Sequence, residues 1–331
     1  MSFGNRKLGL GSVPPVGLGC MNLSHDYGTP PAAEVGIAVL HKALDLGVVH
    51  FDSAALYGFG RNETLVGPVL KLHRDNIFLV SKGGMKGLDG KRVIDGRPEA
   101  LLKDIEDSLQ RLQTDVLDLY YLHRWDKNVP IEDSVGALGQ LVESGKVKAI
   151  GLSEVSADTL MKAHAVHPIS AVQSEYSLWS RNVEIAVLDA CKEIGSAFVA
   201  FSPLARGFLT DVDIVPGNFA EKDIRRRMPR FQAPHFAKNI CLLPQYRQIA
   251  KDAGCTPAQL ALAWLLHREP HIHVIPGTTS VQHLEENVKA AEISLDEQTI
   301  RALDELINPT TISGPRYNAT TQTEIDTEEY Q

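Results

Sequence analysis

Short runs of apolar and β-branched residues recur at roughly 30-residue intervals along this chain. Most are followed by a segment whose apolar positions fall three and four apart. The runs fall at 16–20, 48–54, 77–82, 116–123, 147–153, 171–175, 196–202 and 273–276, and several are apolar almost throughout, as strands buried on both faces are. Between them, Ile37, Leu40 and Leu44 share one helical stripe, and Leu101, Ile105, Leu109 and Leu112 share another. Eight strand–helix units in succession predict a parallel sheet covered by helices, and the count favours a closed (β/α)8 barrel over an open doubly wound sheet. Two stretches break the rhythm. The first twelve residues predict a small hairpin, and 205–239 is a long insertion bearing Pro, Arg and Phe, of the kind that covers a site. Residues 295–307 predict a further helix, and the Thr- and Glu-rich tail from about 310 is expected to be loosely ordered.

Composition narrows this picture. The 331 residues suit one large barrel domain spanning 1–331, and 44% hydrophobic with 22% charged residues provides a large core. The net charge of −8 argues against a nucleic-acid or anionic-membrane partner. The one basic cluster, Arg225, Arg226, Arg227 and Arg230, is expected to be a solvated loop, the other reading being an anion-contacting flap. The four cysteines, Cys20, Cys191, Cys241 and Cys255, have no metal or redox spacing and read as reduced thiols. No stretch approaches a membrane span and the start lacks a leader-type apolar run, so a cytoplasmic location is expected.

Candidate chemistry lies at the ends of successive predicted strands: Asp52 with nearby Tyr57, then Lys82, then His123. A free tyrosine, with a pKa of about 10, is a poor proton donor at neutral pH. An ammonium at Lys82, kept charged by Asp52, is expected to lower it, while His123 orients a substrate oxygen or relays a proton. Each residue alone has a structural explanation, but four together at the chemical end of a barrel point to one site for carbonyl reduction. No GxGxxG follows the first strand. The segment KGGMKGLDGK misses a P-loop, with Met85 in place of a glycine and Arg92 in place of Ser or Thr, and reads as a flexible connection. The pairs His271/His273 and His164/His167 lack a third ligand, so no metal site is expected.

The segments GLGCM, FDSAALYG with NETLVG, SKGG, DLYYLHRWD, GKVKAIGLSE, VQSEYSLW, FSPLARGFL and IPGTTSVQHLEENV resemble the aldo-keto reductase superfamily over about residues 6–306. The resemblance implies a barrel that binds NADP(H) at the strand C-terminal mouth, with NAD(H) as the other candidate. It makes Tyr57 the proton donor, Lys82 and Asp52 its tuners, and His123 part of the oxyanion pocket. By position it assigns Ser153 and Gln173 to the nicotinamide carboxamide and Phe201 to the ring. Ser202, Leu204 and Arg206 fall to the pyrophosphate, and Gly277, Thr278, Thr279, His283, Glu286 and Asn287 to the adenosine end. Two departures stand out. Gly277 and His283 occupy positions where many members carry a Lys and an Arg for the 2′-phosphate, and Glu154 replaces a common Asn. Met21, Trp125, Trp179 and Phe231 are the candidates for an apolar substrate wall. The implied function is reduction of a small aldehyde or ketone to the alcohol. Two alternatives are an NAD-dependent dehydrogenase of a sugar or pyridoxal-type alcohol, and a cofactor-sensing subunit resembling potassium-channel β subunits. A Schiff-base lyase using Lys82 is the least supported reading.

Overall fold

The computed structural model describes residues 3–330. One sheet holds eight parallel strands in sequence order: β1 (Leu18–Gly19), β2 (His50–Asp52), β3 (Phe78–Gly83), β4 (Leu119–Leu122), β5 (Ile150–Ser153), β6 (Ile169–Glu175), β7 (Ala197–Phe201) and β8 (Ile272–Val274). The ends meet. Val16 and Val274 form a parallel bridge, with Gly17 N–H donating to the Val274 carbonyl at 2.9 Å and Val274 N–H to Pro15 at 2.9 Å, so the sheet closes as a (β/α)8 barrel. Close approach at this seam requires glycine: a Cβ on Gly19 would lie 2.7 Å from the Ile275 carbonyl oxygen.

The helices are α1 (Ala33–Asp45), α2 (Arg61–Leu70), α3 (Pro98–Leu112), α4 (Ile131–Glu143), α5 (Ala157–Val166), α6 (Val187–Ile194), α7 (Pro257–Arg268) and α8 (Val281–Lys289). Helices at Leu243–Asp252 and Glu297–Leu306 are added around α7 and α8. Leu101, Ile105, Leu109 and Leu112 of α3 are buried against the sheet, as their spacing predicts. Pro98 opens that helix, and Gln113 ends it in the left-handed conformation at φ 55°.

There are two cores. The larger lies between sheet and helices. The smaller fills the barrel with Val80, Leu119, Tyr121, Ala149, Ala171, Ala197 and Val199, plugged from below by Leu8 and Val13 of the N-terminal hairpin (Arg6–Leu8 paired with Gly11–Val13).

Three expectations are corrected. The Gly-rich connection is an antiparallel hairpin, Met85–Leu88 paired with Lys91–Ile94. The basic cluster divides: Arg226 and Arg227 are exposed, Arg225 stacks 4.2 Å above the Phe219 ring, and Arg230 is tied to Ser180 Oγ at 3.0 Å and the Gly314 carbonyl at 3.0 Å. The tail is packed rather than loose, with Arg316 at 3% and Tyr317 at 6% exposure. Its polarity misleads because its donors meet carboxylates buried in the barrel wall.

Candidate active site

Strand register brings the site together. In a parallel pair, every second residue faces the same way. Asp52 pairs with Val80, an interior residue, so Lys82 two positions on points inward at the same end. Lys82 pairs with interior Tyr121, so His123 follows on that face; Tyr121 pairs with Gly151, which sets Ser153; and Ser153 pairs with Gln173. Val199 pairs with Gln173 and leads to Phe201. Six consecutive staggered strands, β2 to β7, thus aim Asp52, Lys82, His123, Ser153, Gln173 and Phe201 at one mouth.

Tyr57 arrives by a loop. After β2 the chain turns through Tyr57–Gly60, with Gly58, Phe59 and Gly60 all at positive φ, before α2 begins. Behind it, the first turn of α2 braces the strands. Asn62 accepts from Ser53 Oγ at 2.7 Å and donates to the Cys20 carbonyl at 2.8 Å, and Glu63 accepts from Ser81 Oγ at 2.5 Å and pairs with Arg111 at 2.6 Å.

Lys82 Nζ pairs with Asp52 and donates to the Ser53 carbonyl at 2.9 Å and to Tyr57 Oη at 3.2 Å. Gln173 Nε2 donates to the other Asp52 oxygen at 2.8 Å. The His123 ring stands edge-on to Tyr57, centroids 5.8 Å apart. Burial alone would discharge Lys82, but Asp52 and Tyr57 outweigh it and hold its pKa above the ordinary value. Tyr57 departs from the sequence expectation. Burial raises its phenol pKa by more than Lys82 lowers it, so the neutral, proton-bearing form dominates. Burial, reinforced by Arg124, holds His123 well below the usual range and therefore neutral.

These groups open into a cleft of about 540 Å³. Its wall includes Asp52, Tyr57 and His123, with Lys82 behind them, and all twelve residues assigned to the cofactor by resemblance. Several are engaged within the protein. Ser153 Oγ accepts from Arg124 at 3.1 Å, Gln173 holds Asp52, and Glu286 accepts from the Thr256 hydroxyl. Arg206, assigned by resemblance to the pyrophosphate, lines the cleft while pairing with Glu175 at 2.8 Å and contacting Tyr317 Oη at 3.2 Å. Ser202, Ala205 and Arg206 have positive φ, so the turn after β7 is strained.

Of the expected apolar wall only Met21 lines the cleft. Trp179 is core, stacked 4.3 Å from Phe208, and Phe231 packs edge-on to it at 5.3 Å. Trp125 packs against the outer core and donates to the Val129 carbonyl at 2.9 Å. The wall instead contains Arg92 from the Gly-rich hairpin, Arg124, and Tyr317, Thr321 and Glu324 from the tail. Sequence reading missed these. Only Arg124 carried a signal, a charged residue directly after His123 at a strand end. The 205–239 insertion contributes Ile224 and Arg225 and joins the loop after β1 through a Tyr27–Asp223 bridge. Among the described residues no cluster of three His, Cys, Asp or Glu could hold a metal ion, and no helix is long and apolar enough to cross a membrane.

The model of the aldo/keto reductase family matches residues 15–308. The chain belongs to this family. It is 43% identical over 324 residues to a Schizosaccharomyces pombe aldo-keto reductase, yakc, whose name carries NADP(+), covering 96% of this chain and 95% of that protein. It is 42% identical over 308 residues to probable aldo-keto reductase 1 of Glycine max, covering 92% and 88%. Among solved structures, the glycerol dehydrogenase AKR11B4 of Gluconobacter oxydans superposes with a TM-score of 0.86 at 26% identity, covering 96% of this chain and 100% of that one. An aldo-keto reductase of Klebsiella pneumoniae in complex with NADPH gives 0.74 at 27% identity, covering 96% and 99%. As an aldo/keto reductase the chain is an oxidoreductase, and its tail beyond 308 lies outside the family match.

Proposed function

We propose that this aldo/keto reductase uses NADP(H) to convert an aldehyde or ketone to the alcohol, with Tyr57 as the proton donor. The carrying observation is a single hydrogen-bonded line, Gln173 to Asp52 to Lys82 to Tyr57, that ends at one phenol in the cleft. Cofactor names among relatives support the dinucleotide. So does the cleft. Asn287 Oδ1 is buried without a partner at its adenosine end, and a Cβ on Gly277 would fill the cradle there, 2.5 Å from Asn22 Oδ1. Ser280 caps α8 through the His283 N–H at 3.3 Å, leaving a helix N-terminus beside Thr278 and Thr279 for phosphate in place of the missing Lys and Arg.

Bound in this cleft, the reduced dinucleotide would supply the hydride. Tyr57 holds the proton for the carbonyl oxygen, and Lys82 stabilises the phenolate left behind. His123, neutral, can donate one N–H to that oxygen without adding charge. Phe201 offers a half-exposed ring face for the nicotinamide.

Titrating the protein with NADPH and NADH by tryptophan fluorescence quenching tests the cofactor. NADPH should bind more tightly. Preference for NADH would favour the dehydrogenase direction, which the missing basic pair also suggests. Tyr57→Phe should lower kcat by about 100- to 10,000-fold and leave nucleotide affinity nearly intact. Comparable loss of both would sink the assigned role.

A further inference from the structure

Four arginines line the cleft, and three are neutralised by carboxylates: Arg92 by Glu324 at 2.6 Å, Arg206 by Glu175 at 2.8 Å and Arg225 by Asp223 at 2.7 Å. Arg124 has no such partner among the described residues. Its Nη1 donates to two neutral oxygens, the His123 carbonyl at 2.6 Å and Ser153 Oγ at 3.1 Å, and its Nε and Nη2 make no hydrogen bond. The side chain is half-buried and directly follows His123, beside Tyr57. Asp26 also lines the cleft but lies 2.9 Å from His25.

A guanidinium partly removed from water, with one N–H edge open, is matched in charge and geometry by a carboxylate fork. We infer that Arg124 receives a carboxylate on the substrate, so that the preferred substrate is a small oxo acid. The assignment rests on the reductase reading above. The carbonyl carbon gains the hydride of the reduced nucleotide, which is oxidised, and the oxygen gains the Tyr57 proton. The carboxylate is untouched and the product is a hydroxy acid. A phosphate dianion would need more donors, and among the described residues no second arginine or lysine without a carboxylate partner lines the cleft.

The test is a matched pair, 4-oxobutanoate and its methyl ester, with the full-length protein and its nucleotide. Wild type should favour the acid in kcat/KM by about 10- to 100-fold, the effect of one charge-assisted contact. Arg124→Gln should bring the ratio near one, chiefly through KM, and Arg124→Lys should keep an intermediate ratio. Equal use of the pair by wild type would overturn the assignment but not the reductase reading. So would an unchanged ratio in Arg124→Gln accompanied by a shifted pH profile for both substrates, since the guanidinium would then serve Tyr57. Preference for glyceraldehyde 3-phosphate over both would overturn the carboxylate specifically. No turnover of any aldehyde, charged or neutral, would overturn the reductase reading and this one with it. Should Arg124→Gln not fold, inhibition of ester reduction by butanoate against butanamide probes the same contact in wild type. Competitive inhibition by butanoate alone supports it, and equal potency contradicts it.

Discussion

Lys82 and Asp52 have side chains 1% exposed, and neither is tolerable there without the other. The sequence pointed to this pair and to its effect on Tyr57, but the sign of the net effect depends on burial, which no motif states. The ammonium lowers the phenol pKa, and the loss of water around the ring raises it more. In the proposed mechanism Lys82 would therefore act less by ionising Tyr57 in advance than by stabilising the phenolate after the proton has left. Lys82→Met should cost about 3–5 kcal/mol because it strands the Asp52 carboxylate. Adding Asp52→Asn should restore much of that stability while activity stays lost. Urea unfolding of the single and double variants measures this, and a double variant no more stable than the single would mean the pair is not what holds the site.

Among the elements, the tail shows where sequence pattern ends. Strands and barrel helices were legible because their periodicities are local, and all eight strands lie within the segments the apolar runs mark or within two residues of them. The proposed catalytic quartet was legible for the same reason, since strand ends and the loops just after them are where a barrel keeps its chemistry. The tail has no period. Arg316 binds Glu154 with both nitrogens, at 2.6 and 3.2 Å, across 162 residues of sequence, and donates to Thr327 at 2.8 Å. Glu154, at φ 57° after β5, also accepts the Glu175 N–H at 2.8 Å. The residue that departs from the family pattern thus becomes the tail's anchor. Trp179 and Phe231 failed as substrate contacts for a related reason: an aromatic after a strand reads alike whether it faces the cleft or the core. Arg316→Met should destabilise the fold by about 3–5 kcal/mol through the stranded Glu154. Arg92→Gln, which breaks the partly exposed Arg92–Glu324 pair at the mouth, should cost under about 1 kcal/mol. Similar melting shifts for both would refute this division.

Across the whole molecule, the two ends of the barrel handle charge oppositely. At the upper mouth most charged groups are paired, Arg124 excepted, whereas the lower end buries two histidines with no carboxylate hydrogen-bonded to either among the described residues. His50 and His273 have ring centroids 6.4 Å apart. Among the described residues neither His50 nitrogen has a hydrogen-bond partner, and His273 Nε2 meets the Lys7 carbonyl at 3.0 Å. Burial pushes both pKa values down to about 3. Unfolded, each ring takes a proton near 6.5. The unfolded chain therefore binds more protons over that interval, and stability present above pH 6.5 is lost as pH falls toward 3. Each ring should contribute a loss of about 1.4 kcal/mol per pH unit. Between pH 6.5 and 4.5 the histidines should act largely alone: Glu175, whose burial is overcome by Arg206 and Arg316, is held at about 2 and weakens the fold only at lower pH. The combined variant His50→Leu/His273→Gln should flatten the unfolding free energy against pH in this window by the share of both rings, while His123 and His271, which burial also holds low, keep a residual slope. The slope is the readout because any packing cost of the substitutions is independent of pH. An unchanged slope would mean that the acid sensitivity of this barrel resides at its catalytic mouth rather than beneath it.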